Sequence, residues 1–184
     1  MDATKVLMEE HRVIERVLKA LETAAGRLEA GEPIEPSFFL RAAEFIKGFA
    51  DGCHHHKEEG VLFPALEAAG IPVEGGPVGV MLEEHEAGRR LTAAMRTGAE
   101  RLVAGDASAR ETVAKSALQY AALLRQHIMK EDQVLFPMAD DMIRGRAQAE
   151  LAEAFQTIER DEMGQGVHER YMELAASLER DATR

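Results

Sequence analysis

A histidine followed four residues later by a glutamate occurs twice in this chain, inside two stretches that are nearly the same. The stretches read HHHKEEGVLFP, from His54, and HIMKEDQVLFP, from His127. Side chains four residues apart on an α-helix lie on one face, so His54 with Glu58, and His127 with Glu131, each direct an imidazole and a carboxylate to one place. One such pair is a common coincidence. Two pairs in a matched context predict a metal site built by duplication.

The repeat extends towards the N-terminus. Glu-Glu-His occurs before each stretch and ends at His11 and at His85, which lie 43 residues before His54 and 42 residues before His127. The repeated unit is therefore one helix that carries a histidine, a loop, and a second helix that carries His-x-x-x-Glu. Two units predict one metal site with six candidate ligands, which are His11, His54, Glu58, His85, His127 and Glu131.

The order of helical patterns and breaks predicts an all-α fold. The two helix-pair units span about residues 1–70 and 75–142, and a stretch rich in glycine and proline joins them. Together they predict four helices over residues 1–145, which suits a helical bundle. Residues 146–184 are helical in pattern, with an interruption at Gly164-Gln165-Gly166. They are expected to form an extra C-terminal helical segment that packs on the bundle.

Composition narrows the functional classes. A formal net charge of −11, without a stripe of Lys and Arg, argues against a partner that is a nucleic acid. The single cysteine, Cys53, excludes an internal disulfide and suits a reducing cytoplasm. The N-terminal sequence has neither a basic start nor an apolar run, and no stretch is long enough to span a bilayer. A cytoplasmic protein without a membrane partner is expected.

The ligand types indicate which metals the site suits. Mixed imidazole and carboxylate ligands favour borderline divalent metals, and the lack of clustered thiolates argues against iron–sulfur clusters. Six protein ligands are too many for one tetrahedral zinc and too rich in nitrogen for magnesium or calcium. The pattern therefore predicts a dinuclear site in which the two glutamates are able to bridge the ions.

In these segments the chain resembles the hemerythrin-like (HHE cation-binding) family, from about Leu7 to Met142. The resemblance implies an antiparallel up-down four-helix bundle with two non-heme iron ions, bridged by oxo or hydroxo and by the two glutamates. It also implies that the six candidate residues named above are the iron ligands. Oxygen-carrying members have a further histidine one turn after the third-helix histidine, where this chain has Arg89. That difference predicts one histidine fewer and disfavours reversible oxygen carriage.

The sequence leaves the function open between hypotheses that share every ligand. In the first, the di-iron site oxidises Fe(II), decomposes peroxide or handles nitric oxide. In the second, it is a binding module that senses or stores O2, NO or iron without turnover, so its partner is a small diatomic or peroxide ligand in either case. Di-iron proteins of iron–sulfur repair are a third, disfavoured hypothesis, because the cysteine-bearing N-terminal segment that accompanies that activity is not seen here.

Four further residues receive predictions of their own. Successive residues of an α-helix turn by ~100°, so His55 and His56 are expected to point away from the site and to be partly exposed. Tyr120 is expected to be a core residue, with contact between its hydroxyl and a bound ligand as the alternative hypothesis. His168 is expected to be a surface or supporting histidine, with a metal ligand as the competing hypothesis.

Overall fold

Helices form the regular structure that the computed structural model describes. It covers residues 3–164 and 166–184, without the side chains of residues 161–163, so Gln165 of the expected interruption lies outside the described residues. The helices are α1 (Ala3–Glu29), α2 (37–68), α3 (Pro77–Val103), α4 (110–142), α5 (146–163) and α6 (Val167–Ala182). This confirms the predicted all-α class. No helix among these residues is long and apolar enough to cross a membrane.

Two of the helices change their winding at the candidate ligands. In α2, an α-helical start at Ser37–Phe45 is followed by π-helical Ile46–His55 and Glu58–Leu62, and then by α-helical Phe63–Ala68. In α4, α-helical Arg110–Lys130 is followed by π-helical Glu131–Leu135 and by α-helical Phe136–Met142. The same change of winding thus follows His-x-x-x-Glu in both units.

The repeated proline explains the wider turn that follows each glutamate. Pro64 and Pro137 have no N–H to donate, so the usual bond to the carbonyl four residues back is missing. The preceding N–H, of Phe63 or of Phe136, donates five residues back, to the carbonyl of Glu58 or Glu131. A bond of this span defines a π-helical turn, and such turns occur often at functional sites.

The first four helices pack around a shared interior. Contacts link α1 to α4, α4 to α3, α3 to α2 and α2 to α1. The C-terminal α6 lies against α1 and α2, and it buries Tyr171, Ala175 and Leu178 in the same apolar cluster as these helices. The C-terminal segment thus packs on α1 and α2 through α6.

A second apolar cluster lies nearer the ends at which α1 and α3 begin. It includes Leu7 of α1, Leu62 of α2, Met81 of α3, Leu135 of α4 and Phe155 of α5. Along each of the first four helices, the candidate ligands stand between residues of this cluster and residues of the main one. The fold therefore encloses a polar layer between two apolar layers, and α5 helps to close it.

Candidate metal centre

The structure brings the six residues predicted as ligands into one buried layer, and none of them is more than 1% exposed. Within this layer, two groups have potential ligand atoms that all lie within 4.8 Å of one another. The first group is His11, His54, Glu58 and Glu131, and the second is His55, Glu58, His85 and His127. Two groups that share a glutamate have the composition of a dinuclear site.

Each glutamate stands beside one histidine of each group. The Oε1 atom of Glu58 is 3.3 Å from Nε2 of His54, and its Oε2 atom is 3.5 Å from Nε2 of His85. The Oε2 atom of Glu131 is 3.2 Å from Nε2 of both His11 and His127. Both carboxylates therefore lie within about 3.5 Å of a histidine of each group.

Within each unit, an acid from the first helix binds the histidine of the second. Nδ1 of His54 donates to Glu10 at 2.9 Å, and Nδ1 of His127 donates to Glu84 at 3.0 Å. Glu10 and Glu84 are the acids directly before the lone histidines in the two Glu-Glu-His runs. A carboxylate on Nδ1 fixes the tautomer that leaves the lone pair of Nε2 free for a metal.

Between the units, an acid from one binds the lone histidine of the other. Nδ1 of His85 donates to Glu59 at 2.6 Å, and Nδ1 of His11 donates to Asp132 at 2.7 Å. Glu59 and Asp132 directly follow the bridging candidates in the two matched stretches. The second acid of each Lys-Glu-Glu or Lys-Glu-Asp run therefore serves the opposite unit.

Cations hold these four acids in place. Lys57 pairs with Glu10 and Lys130 pairs with Glu84, and each lysine lies three residues after the histidine that its acid binds. Lys57 is fully buried and also meets Glu159 of α5, with Nζ 2.5 Å from Oε1.

The other two acids pair with arginines. Arg89 binds Glu59 at 2.6 Å, and Arg12 pairs with Asp132. Arg89 thus takes part in orienting the candidate ligand His85 through Glu59.

The buried charges shift the pKa values of the groups that would bind metal. Burial lowers the pKa of His54, but Glu58 and Glu10 outweigh it and raise the value to about 10. Burial likewise lowers the pKa of His127, but Glu131 and Glu84 raise it to about 9. Burial raises the pKa of Glu58, but the neighbouring histidines, His54 first, lower it to about 2. Metal entering this site must therefore displace protons from imidazoles at neutral pH.

His55 does not point away from the site, so that prediction is wrong. It is 4% exposed, and its ring stacks on the ring of His85 with centroids 3.8 Å apart. The π-helical winding of Ile46–His55 explains the difference, because successive residues turn by less there than in an α-helix and neighbours share a face more nearly. His56 is exposed, as predicted.

A signal for His55 was present in the sequence. Asp51, four residues before it, is a helical partner for its imidazole, with Oδ1 3.4 Å from Nδ1. The corresponding residues of the second unit are Leu124 and Ile128, which are apolar. Burial holds the pKa of His55 well below its ordinary value, so this imidazole is neutral.

Tyr120 and His168 have the surroundings expected of them. Tyr120 is 1% exposed, in the main core, and its hydroxyl has no hydrogen-bond partner among the described residues. His168 is exposed on α6, with its ring 5.8 Å from that of Phe49, and it belongs to neither ligand group. The competing hypothesis that His168 is a ligand therefore finds no support in the geometry.

A cavity of about 270 Å³ reaches the centre from one side. His55, His85 and Tyr120 line its buried part, whereas Lys47 and Arg96 are exposed where it opens to solvent. A molecule in this cavity meets the edge of the second ligand group and the unpaired hydroxyl of Tyr120. The cavity therefore extends from exposed Lys47 and Arg96 to residues of the second ligand group.

Comparisons with known proteins agree with this geometry. A family model described as the hemerythrin HHE cation-binding domain matches residues 2–139. Uncharacterized proteins of Mycobacterium bovis and of two strains of Mycobacterium tuberculosis are each 28% identical to this chain over 178 residues, which is 97% of this chain and 69% of theirs. No solved structure gives a significant match.

Proposed function

This chain belongs to the hemerythrin HHE cation-binding family, and we propose that its buried centre holds two non-heme iron ions and reacts with dioxygen, peroxide or nitric oxide. Membership confirms the resemblance found in the sequence and makes cation binding the general function. The choice of iron, the number of ions and the reacting molecule are our proposal. It is supported by the ligand atoms, by the acids behind them and by the cavity.

The observation that carries the proposal is a set of buried polar atoms that face one another in the ligand layer, several as imidazole–carboxylate pairs 3.2–3.5 Å apart, without a hydrogen bond of good geometry among the described residues. They are Nε2 of His11, His54 and His55 and both carboxylate oxygens of Glu58 and Glu131. An unsatisfied buried polar atom costs about 1–3 kcal/mol, so a fold rarely keeps several in one place. All of them face the same layer as His85 and His127, whose Nε2 atoms are only 3.0 Å apart. Bound cations would satisfy the whole set.

The donor set fits two iron ions. His11 and His54 would hold one, His85 and His127 the other, and Glu58 and Glu131 would be shared. When bound, an iron pair supplies redox chemistry towards small oxidants and positions for exogenous ligands. The two shared carboxylates offset part of the positive charge, and the apolar layers on either side limit the access of water.

We also infer that the first four helices run antiparallel, as the resemblance implies. The connections between α1 and α2, between α2 and α3, and between α3 and α4 span residues 30–36, 69–76 and 104–109. Short connections between long helices that contact each other favour antiparallel neighbours. In this arrangement each helix passes the polar layer once and contributes its ligands there.

The cavity and Tyr120 support a small exogenous ligand. Burial, and then the charge of Asp51, raise the pKa of Tyr120, so its hydroxyl keeps its proton and remains a donor. A volume of about 270 Å³ admits diatomic molecules and peroxide readily. We propose that Tyr120 donates a hydrogen bond to a ligand that enters by this route.

Metal stoichiometry is the first test of the proposal. Metal-free protein is loaded with Fe(II) without oxygen, passed through a desalting column, and assayed for iron by mass spectrometry. We expect two irons per chain and, after oxidation, near-ultraviolet charge-transfer bands that azide alters. A single tightly held zinc with no uptake of a second ion would rule out the dinuclear centre.

The alternative function is a non-catalytic module that binds, senses or stores O2, NO or iron. Stopped-flow mixing of the reduced protein with peroxide or nitric oxide distinguishes such a module from a reactive centre. Repeated turnover supports reaction, whereas a stable adduct formed once per centre supports the binding module. The Tyr120→Phe variant, loaded with the same amount of iron, is the matched comparison, and we expect it to bind azide more weakly.

A further inference from the structure

The two units of the repeat differ at the residue that follows their second histidine. His55 in the first unit corresponds to Ile128 in the second, and Asp51 corresponds to Leu124. Leu124 and Ile128 are buried in the main apolar cluster. The first unit thus has a carboxylate and an imidazole where the second unit has two apolar residues. The six predicted ligands, in contrast, have the same residue type in both units.

His55 has the surroundings that mark the other four histidines of the centre. Its side chain is buried, and Nε2 has no hydrogen-bond partner among the described residues. Nδ1 faces the carboxylate of Asp51, which is itself bound by Arg89 with Nε 2.7 Å from Oδ1. An acid behind the ring and a cation behind the acid form the same relay as for His85. A histidine that served only to fill space would need neither.

We propose that His55 is a fifth imidazole ligand of the centre and binds only one of the two ions. One of its ring nitrogens lies with ligand atoms of Glu58, His85 and His127, all within 4.8 Å of one another, and Nε2 is the nitrogen without a hydrogen-bond partner among the described residues. The inference rests on the proposed di-iron function. It gives one ion three imidazoles and leaves the other with two, from His11 and His54.

This assignment also accounts for Arg89. Arg89, one turn after His85, binds both Asp51 and Glu59. The arginine therefore positions His55 and His85 through these two acids. The fifth imidazole comes from α2 and lines the cavity.

The position of His55 in the cavity wall affects how a ligand reaches the centre. The ion bound by His55 has its cavity side occupied by an imidazole, so an exogenous ligand arriving there meets His55 first. Removing this side chain should open a coordination position towards the cavity. We therefore expect azide to bind the oxidised His55→Ala variant at least tenfold more tightly than the parent protein, or with a second equivalent.

The decisive test substitutes the residue that the second unit carries. Metal-free His55→Ile is titrated with Co(II), followed by visible absorption, beside the parent protein. We expect the affinity for one ion to fall by about 10- to 100-fold or more, since even loss of a partner behind a ligand has an effect of that size. The affinity for the other ion should be nearly unchanged. His56→Ala, at the exposed neighbouring position, is the control and should match the parent protein.

A second substitution separates binding from packing. His55→Glu restores a group able to bind metal, so the affinity for the weakened ion should recover most of its loss. A buried unpaired carboxylate would instead worsen a defect in packing. Asp51→Asn should lower the affinity for the same ion by a smaller factor while leaving the buried core intact.

Several outcomes would overturn the assignment. Unchanged affinities in His55→Ile, or an equal loss at both ions without rescue by His55→Glu, would show that His55 is not a ligand. A parent protein that takes up only one ion would instead refute the proposed dinuclear function. The two failures are therefore distinguishable in one set of titrations.

Discussion

At the scale of single residues, the acids that follow the two bridging candidates orient histidines of the centre. Glu59 and Asp132 hold His85 and His11 by Nδ1, at 2.6 and 2.7 Å. Neither belongs to a ligand group in the buried layer. Their role is to fix the ring and its tautomer, which sets how strongly the histidine binds metal.

Glu59→Gln should therefore weaken metal binding by about 10- to 100-fold while both ions still bind at saturating metal. Glu58→Gln should have the larger effect and reduce the occupancy of both ions, because Glu58 faces histidines of both groups. Glu131→Gln should behave like Glu58→Gln. Iron per chain after desalting, together with Co(II) titration, measures both quantities.

Glu9→Gln is the matched control, since Glu9 is an exposed acid beside Glu10. It should leave both ions unaffected. Equal losses in Glu59→Gln and Glu58→Gln would mean that the neighbouring acid is itself a ligand.

His168→Ala should keep both irons, because His168 is exposed and lies against Phe49 outside the ligand layer. His85→Ala, in contrast, should lose iron, since it removes a buried imidazole that lies beside Glu58 and His127. Iron assays on the two variants, prepared side by side, measure the difference. Loss of one metal position in His168→Ala would show that α6 contributes a ligand.

Residue identities at the site were predictable where the repeat fixed them. The matched stretches single out six residues, and the structure places all six in one layer. His55 could not be found in this way, because its counterpart is Ile128 and because its direction depends on a winding that differs from an α-helix. Glu59 and Asp132 bind histidines of the opposite unit. These contacts depend on how helices from different units pack together, which the spacing along one helix does not reveal.

The π-helical turns are the element-scale feature that shapes the centre. The turns Glu58–Leu62 and Glu131–Leu135 each begin at a bridging candidate and end just before Phe-Pro. A π turn inserts extra length into a helix and redirects the residues beside it. The prolines keep this winding, because an α-helical bond to the residue four back is impossible there.

Pro137→Ala should stabilise the metal-free protein and weaken metal binding. Pro137 is exposed, so the change disturbs little packing, and alanine restores an N–H that permits the α-helical bond. We expect a gain on the order of 1 kcal/mol in the free energy of unfolding, a part of the ~3 kcal/mol that an interior proline costs. Urea denaturation with a chelator and Co(II) titration measure the two effects. Unchanged metal affinity would show that the π turn does not position Glu131.

Gly48→Ala should loosen the docking of α6 on α2. A Cβ atom at this position would overlap the ring of Tyr171, which is packed against Phe45 and Phe49. Overpacking of this kind costs about 1–3 kcal/mol. Urea denaturation should show the loss, and hydrogen exchange should locate it in α6. Gly26→Ala, where a Cβ meets nothing, is the control. Equal stability of the two variants would contradict the close packing.

The number of helices and their order were predictable because the apolar periodicity and the glycine and proline breaks are strong. The changes of winding inside α2 and α4 were not predicted from the apolar periodicity. The tight approach of α6 could not be predicted, since it depends on Gly48 meeting a tyrosine 123 residues further along the chain.

At the scale of the whole molecule, the metal-free protein should lose stability as the pH rises from about 7 to 10. The folded-state pKa values of His54 and His127, about 10 and about 9, lie above the unfolded value of ~6.5. Their protonated forms therefore stabilise the fold fully below ~6.5, and this contribution disappears as the pH rises through the folded values. Urea midpoints measured at several pH values with a chelator present test this.

Bound metal should reverse the trend, because metal and protons compete for the same imidazoles. The loaded protein should keep its stability up to pH 10 and release its ions in acid. His127→Gln should flatten the slope of the metal-free protein, since it removes one of the two groups. A midpoint that rises with pH in the metal-free parent protein would contradict the raised pKa values.

Glu59 in the first half of the chain serves His85 in the second, and Asp132 in the second half serves His11 in the first. A half-chain alone would lack the acid that its own lone histidine needs, whereas two copies related by a twofold axis would supply it to each other. Each half of the chain therefore depends on the other half for the acid that orients its lone histidine. A mutation of either acid is expected to act on a histidine in the opposite half.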